Sequence, residues 1–88
     1  MTAKERKKKL IGFDYENKKI CLEAVKEDGN TLQYVHNQTE EICLEAVKQN
    51  GNALQYVQNQ TEQICLEAVK ENKYAFKYVN DEFLYLFD

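Results

Sequence analysis

A repeat with a fixed period is the feature that most constrains the fold of this chain. The segment ICLEAVK occurs at 20–26, 42–48 and 64–70, so each copy begins 22 residues after the last. Periods of this length are typical of stacked-repeat proteins, in which each unit buries its apolar face against its neighbours. The 88 residues therefore predict one domain, residues 1–88, built as a stack of similar units.

The repeat extends well beyond this core segment. Residues 20–41 and 42–63 differ at only five positions, all polar or small: Glu27/Gln49, Asp28/Asn50, Thr31/Ala53, His36/Gln58 and Glu41/Gln63. We assign three units, 14–41, 42–63 and 64–80. A basic half-unit, 1–13, precedes them, and a hydrophobic cap, 81–88, follows them. Terminal half-units of altered composition are how solenoids close their ends.

Each unit is predicted to contain two short helices. In residues 39–50, Ile42, Cys43, Ala46 and Val47 share one side of a helical wheel, and Leu44 widens this apolar arc. So wide an arc suits a helix that packs between two neighbours. Thr39, Thr61 and Asn17 are the expected N-cap residues.

The expected helix stop is the pair Asn50-Gly51, because glycine adopts a left-handed backbone without strain. Lys73 replaces this glycine in the third unit, so there Asn72 is expected to take the left-handed conformation. The second helix of a unit covers 52–58. Its Ala53, Leu54 and Val57 should point inward and Gln55 outward.

Two other folds fit the repeat less well than helices do. Alternating Ile42, Leu44 and Ala46 would suit a strand, but the segment has few of the β-branched residues that strands prefer. The period also resembles that of leucine-rich repeats, but their alternating leucines followed by an asparagine are missing. The sequence therefore predicts an all-α fold, a small α-solenoid of three 22-residue two-helix repeats flanked by half-repeats.

Hydropathy and charge suggest where such a chain works. No run approaches the roughly 18 apolar residues of a membrane helix, and the basic start, 1–9, lacks the apolar stretch of a signal peptide. We expect an intracellular, cytoplasmic protein in a reducing compartment, without membrane attachment. Residues 1–9 carry a net charge of +4 and the remainder −7. The acidic body disfavours direct nucleic-acid binding by the repeats.

The search for catalytic chemistry is negative. Cys21, Cys43 and Cys65 recur at the repeat period, which is not a metal-ligand spacing, so we interpret them as small buried hydrophobic residues. His36 is replaced by Gln58 and Asn80 in the other units, and no catalytic partner is evident. We therefore expect no enzyme activity, no metal and no cofactor.

Three sets of side chains are candidate partner-binding residues. The first is a glutamate row on the long helices, and the second is a tyrosine row on the short helices. The alternative for the tyrosines is packing between units with only their hydroxyls exposed. The third is the apolar C-terminal segment, which either caps the last unit or binds a partner or a second copy in a homodimer. The residues are Glu23, Glu45 and Glu67; Tyr34, Tyr56 and Tyr78; and Phe83 and Phe87.

The unit ICLEAVKQNGNALQYVQNQTEE resembles a family of short helical repeats of unassigned function, found in large DNA viruses, amoeba-associated microbes and some bacteria. The resemblance covers residues 14–80 and depends on the I-C-L-E-A-V-K frame, the N-G pair and the L-Q-Y-V segment. It implies a viral or bacterial source but no activity. In size and acidity the chain also resembles anti-CRISPR inhibitors.

The functional hypothesis is a non-catalytic module that binds a partner protein with a basic surface. In its specific form, the protein is an inhibitor that blocks the nucleic-acid-binding surface of a host protein such as a CRISPR nuclease. The first alternative is a nucleic-acid-binding accessory protein that uses the basic tail. The second is a purely structural repeat fragment.

Overall fold

Helices account for most of the chain in the computed structural model, which describes residues 17–87. Within that range 77% of residues are helical and no strand occurs. The ten-residue α-helices are α1 (Lys18–Glu27), α2 (Glu40–Gln49) and α3 (Glu62–Glu71). The 3-10 helices are η1 (Gly29–Tyr34), η2 (Gly51–Tyr56), η3 (Lys73–Tyr78) and η4 (Asp81–Phe87). The predicted all-α repeat fold is confirmed.

The units stack in series. Helix α1 packs on α2 and α2 on α3, while η1 packs on η2 and η2 on η3. The α-helices and the 3-10 helices thus form two parallel layers with the core between them. The principal dimensions are 53 × 20 × 19 Å, so the stack is a short rod with long sides and small ends.

Local side-chain hydrogen bonds explain where the α-helices begin. Asn17, Thr39 and Thr61 each accept a bond from the backbone N–H three residues ahead, with a donor–acceptor distance of 3.2 Å. These are the N-caps that the sequence predicts, and each satisfies a backbone donor that the first helical turn leaves unpaired.

The predicted helix stop is wrong in its mechanism. Asn50 and Asn72 have φ angles of −152° and −150°, which is extended backbone, and neither Gly29 nor Gly51 adopts the left-handed conformation. Instead, the side chains of Asn50 and Asn72 each accept a bond from the backbone N–H two residues ahead, at 3.0 and 2.9 Å. The asparagine therefore ends the α-helix and caps the 3-10 helix that follows.

Close packing between units explains the glycines. A Cβ atom on Gly29 would lie 2.4 Å from the carbonyl oxygen of Ala46, and one on Gly51 would lie 2.3 Å from that of Ala68. Both distances are far shorter than real carbon–oxygen contacts. Glycine is therefore required at the start of η1 and of η2, because each of these starts touches the backbone of the next α-helix.

The second helix of each unit is shorter and tighter than predicted. It is a 3-10 helix over Gly51–Tyr56, whereas the sequence predicted a helix over 52–58. A tight helix fits because only a few residues separate the capping Asn50 from the extended Val57. The predicted inward orientation is confirmed for Ala53 and Leu54, which are buried, and Gln55 is exposed as predicted. Val57, also predicted to point inward, is only half-buried.

The core repeats from unit to unit. Each α-helix contributes a cysteine and an alanine that are buried, and η1 and η2 each contribute a buried leucine. Among the described residues, the largest fully buried side chains are Leu32, Ile42, Leu54, Ile64, Val25, Val35, Val47, Cys21 and Cys65. The three cysteines are thus in the core, as predicted.

Candidate interaction surfaces

We use the word joint for the contact region between two successive units. The cysteines lie within the joints and not at a reactive site. The Sγ of Cys43 donates to Oε1 of Gln38 at 3.4 Å, and that of Cys65 donates to Oε1 of Gln60 at 3.2 Å. Burial raises the pKa of both thiols to about 11, with smaller contributions from Glu40 and Glu82 respectively. Within residues 17–87 no disulfide joins the cysteines, and no group of His, Cys, Asp and Glu is placed to hold a metal ion.

Two glutamines that the sequence analysis did not select hold neighbouring loops together. Nε2 of Gln38 donates to the carbonyl of Tyr56 at 2.8 Å, and its Oε1 accepts from the backbone N–H of Gln58 at 2.9 Å. Gln60 repeats both bonds one unit later, to Tyr78 at 2.7 Å and Asn80 at 2.8 Å. Their recurrence at the repeat period, directly before the N-cap threonines, is the sequence signal that could have identified them.

The predicted glutamate row is only partly exposed. Glu23 is exposed, but Glu45 and Glu67 are half-buried. A lysine follows each of the three glutamates at three residues' distance, and Lys48 Nζ lies 3.9 Å from Glu45 Oε1. The row therefore carries both signs of charge.

A second acidic row lies at the N-terminal ends of α2 and α3. Glu40, Glu41 and Glu62 are all exposed. Lys18 lies 2.7 Å from Glu41 across the joint between α1 and α2, and this hydrogen bond and charge lower the pKa of the Glu41 carboxyl. Two joints further along, a hydrogen bond to Glu62 raises the pKa of Tyr85. We name Glu40, Glu41 and Glu62 the helix-start row.

The tyrosine row is only partly a surface feature. Tyr34 is 52% exposed, whereas Tyr56 and Tyr78 are half-buried and pack against the core. The Lys77 amine lies 5.1 Å from the centre of the Tyr78 ring. The tyrosines end the 3-10 helices and the glutamates belong to the α-helices, so the two rows are on different layers of the stack.

The C-terminal segment caps the last unit. Phe83 and Phe87 are half-buried and pack against the core, and Phe87 makes an edge-to-face contact with Phe76 at 5.6 Å between ring centres. This cap leaves part of the apolar surface at this end of the stack uncovered. Most of the large apolar side chains that remain exposed within 17–87 lie in the last unit and its cap: Leu66, Tyr74, Phe76 and Tyr85.

Some sequence predictions fall outside these surfaces. The basic tail, 1–9, lies outside the described residues. His36 is exposed. Within residues 17–87, no helix is both long and apolar enough to cross a membrane.

The fold and its surfaces define a helical-repeat protein whose two inner joints share the same glycine, glutamine and threonine positions. The profile of the family described as Domain of unknown function (DUF4116) matches residues 17–61 and 39–84, and each match spans about two units. The chain belongs to this family. Comparison with curated proteins gave no match, and comparison with solved structures gave none either.

Proposed function

We propose that this protein is a non-catalytic binding module whose protein partner lies along one side of the rod. The observation that carries this proposal is the shape. A side of about 53 by 20 Å offers roughly 1,000 Å² in projection, which is enough for a specific interface of roughly 800 Å² per partner. An end of about 20 by 19 Å offers only roughly 400 Å², about half of that amount.

Charge supports a partner with a basic surface. Residues 17–87 contain eleven acidic and seven basic side chains. The helix-start row contributes three exposed carboxylates, Glu40, Glu41 and Glu62, of which Glu41 is paired with Lys18. In the glutamate row of Glu23, Glu45 and Glu67, a lysine three residues after each glutamate offsets its charge. Complementary charge acts mainly on the rate of association and on specificity.

The more specific proposal is that the protein blocks its partner. An acidic rod on the basic groove of a nucleic-acid-binding protein, such as a CRISPR nuclease, competes with the phosphate backbone for that groove. A viral or bacterial source and action in the cytoplasm of a host cell belong to this proposal, as the resemblance to repeats from such sources implies.

Two triple charge reversals test the proposal. After the partner is captured from the source cell, association rates are measured for Glu23→Lys/Glu45→Lys/Glu67→Lys and for Glu40→Lys/Glu41→Lys/Glu62→Lys. The two variants change the net charge equally, so any difference between them identifies the contacting row. We expect the helix-start reversal to slow association by at least tenfold and raised salt to slow the natural complex. Unchanged rates in both variants, together with insensitivity to salt, would contradict a charge-guided side interface.

A second candidate function has one observation in its favour, the net charge of +4 on residues 1–9. A nucleic-acid-binding accessory protein would use this tail. Its binding to DNA or RNA would weaken steeply with salt, because each neutralised phosphate releases a counterion. Deleting residues 1–9 would abolish that binding, whereas it would leave the proposed protein complex nearly unchanged.

A further inference from the structure

Three side-chain features recur wherever one unit follows another. A glycine, Gly29 or Gly51, lets the next α-helix approach the start of a 3-10 helix. A glutamine, Gln38 or Gln60, bonds to the loop one unit further along. A threonine, Thr39 or Thr61, then caps the next α-helix. Together these residues provide the space, the loop contact and the helix start that an added unit needs.

The outer end of the third unit has lost all three features. At the repeat period, Lys73 replaces the glycine, Glu82 replaces the glutamine and Phe83 replaces the threonine. An ionised Glu82 accepts hydrogen bonds but cannot donate the bond that glutamine Nε2 gives to a carbonyl. Phe83 has no side-chain oxygen that could cap a helix.

The backbone changes at the same place. The register positions that begin α2 and α3 correspond to 84–87, yet residues 81–87 form the 3-10 helix η4 instead of an α-helix. Lys73 has a Cβ atom where the inner joints have glycine. At Gly29 and Gly51 a Cβ atom would lie 2.4 and 2.3 Å from a carbonyl oxygen of the next α-helix. Phe76, at the register position of the fully buried Leu32 and Leu54, is 46% exposed.

We propose that Lys73, Glu82 and Phe83 form a terminator of the array. They make the outer face of the third unit unable to accept another unit in the register of the inner joints. The excluded unit can come from this chain or from the first unit of a second copy, so the terminator also prevents head-to-tail growth into filaments, to which open-ended interfaces lead. The stack thereby ends at the third unit in this register, and, on the proposed function, partners are directed to its sides.

A pair of extended chains tests this terminator. A second copy of residues 64–85 is inserted between Tyr85 and Leu86, so that an added unit follows the natural third unit. The matched chain carries Lys73→Gly, Glu82→Gln and Phe83→Thr in the first copy only. The two chains have the same length and the same final segment, and they differ only at the joint in question.

Amide hydrogen exchange of the added unit is the measurement. We expect its backbone to be protected in the repaired chain and to exchange at least about 100-fold faster in the unrepaired chain, because an undocked helix of this length is not stable alone. Equal protection in both chains would overturn the proposal. An added unit that is unprotected in the repaired chain would also overturn the proposal. It would show that the three residues do not determine whether a further unit docks.

The natural chain gives an independent test. Gly51→Lys places the terminator's lysine at an inner joint, and the control Lys73→Gly changes the outer position to the residue of the inner joints. We expect Gly51→Lys to lower the urea midpoint clearly and Lys73→Gly to leave it nearly unchanged. A Gly51→Lys protein as stable as the natural one would show that lysine does not block stacking, and would overturn the proposal.

Discussion

At the residue scale, one difference between the units follows from a contact across a joint. Lys18 pairs with Glu41. One unit later, the same register positions hold Glu40 and Gln63. A glutamate at 63 would face Glu40 with like charge, and the change to glutamine removes this repulsion. At the third joint Glu62 meets Tyr85, again a neutral partner. One of the five differences between the first two units thus has an electrostatic explanation.

The joint glutamines lead to a stability prediction. Gln38→Ala removes bonds to the carbonyl of Tyr56 and the N–H of Gln58, and we expect it to lower the free energy of unfolding by about 1–3 kcal/mol because the partly buried Tyr56 carbonyl loses its partner. The control is Gln55→Ala, whose side chain makes one exposed bond within its own unit, to Asn52. It should change stability by less than about 0.5 kcal/mol. Urea denaturation of both variants measures the difference, and equal losses would contradict the joint role of Gln38.

The buried thiols lead to a pH prediction. The pKa values of Cys43 and Cys65 are about 11 in the folded protein, above the roughly 8.5 of a thiol in an unfolded chain. Between these values the unfolded state binds fewer protons than the folded state, so the free energy of unfolding falls as pH rises. We expect the thiols' contribution to the free energy of unfolding to be complete below about pH 8.5 and to decline as the pH approaches 11.

Urea midpoints at pH 7, 9 and 10 measure this decline. The Cys43→Ala/Cys65→Ala protein is the control, because every other ionisable side chain remains in it. Its midpoint at pH 7 should be lower, since core truncation costs stability, but its decline with pH should be smaller. An equal decline in both proteins would show that the thiols do not titrate with unfolding.

At the element scale, local signals predicted the α-helices well. The capping side chains and the apolar arc lie within one helix, so Asn17, Thr39 and Thr61 could be assigned from the sequence alone. The reason for the glycines could not. Gly51 is required because a Cβ atom there would collide with the carbonyl oxygen of Ala68, a residue of the next unit. The sequence pattern does not show which backbone atoms approach each other so closely. The glutamine bonds likewise join residues of different units, as from Gln38 to Tyr56 and Gln58.

The caps lead to the prediction that belongs to this scale. Thr61→Ala removes the side-chain oxygen that accepts from the N–H of Ile64, and we expect it to lower the free energy of unfolding by about 1 kcal/mol. Thr61→Asp should retain most of the stability, because aspartate also caps helices and its charge favours a helix N-terminus. Thermal unfolding followed by circular dichroism compares the two. If alanine and aspartate behaved alike, the cap would not contribute to helix stability.

At the scale of the whole molecule, the shape separates candidate surfaces that the sequence could not rank. The tyrosines, the glutamates and the C-terminal aromatic residues were all plausible from their composition. In the structure, four of these aromatic side chains pack partly against the core, which reduces the surface area that a partner could contact. They are Tyr56, Tyr78, Phe83 and Phe87. The sides of the rod remain as the surfaces with sufficient area, and the helix-start row supplies their charge.

The same geometry predicts the oligomeric state. Two copies that meet at their C-terminal ends would bury Leu66, Phe76 and Tyr85, which are exposed in the single chain. An end of about 20 by 19 Å gives roughly 800 Å² for both copies together, which is the size of a crystal-packing contact and well below that of a stable dimer. We therefore expect sedimentation to show a monomer at about 100 μM, since so small an interface gives only weak association. A dimer at that concentration that Phe76→Lys dissociates, while its fold remains intact by circular dichroism, would show that the C-terminal end is an interface and that the cap does more than close the stack.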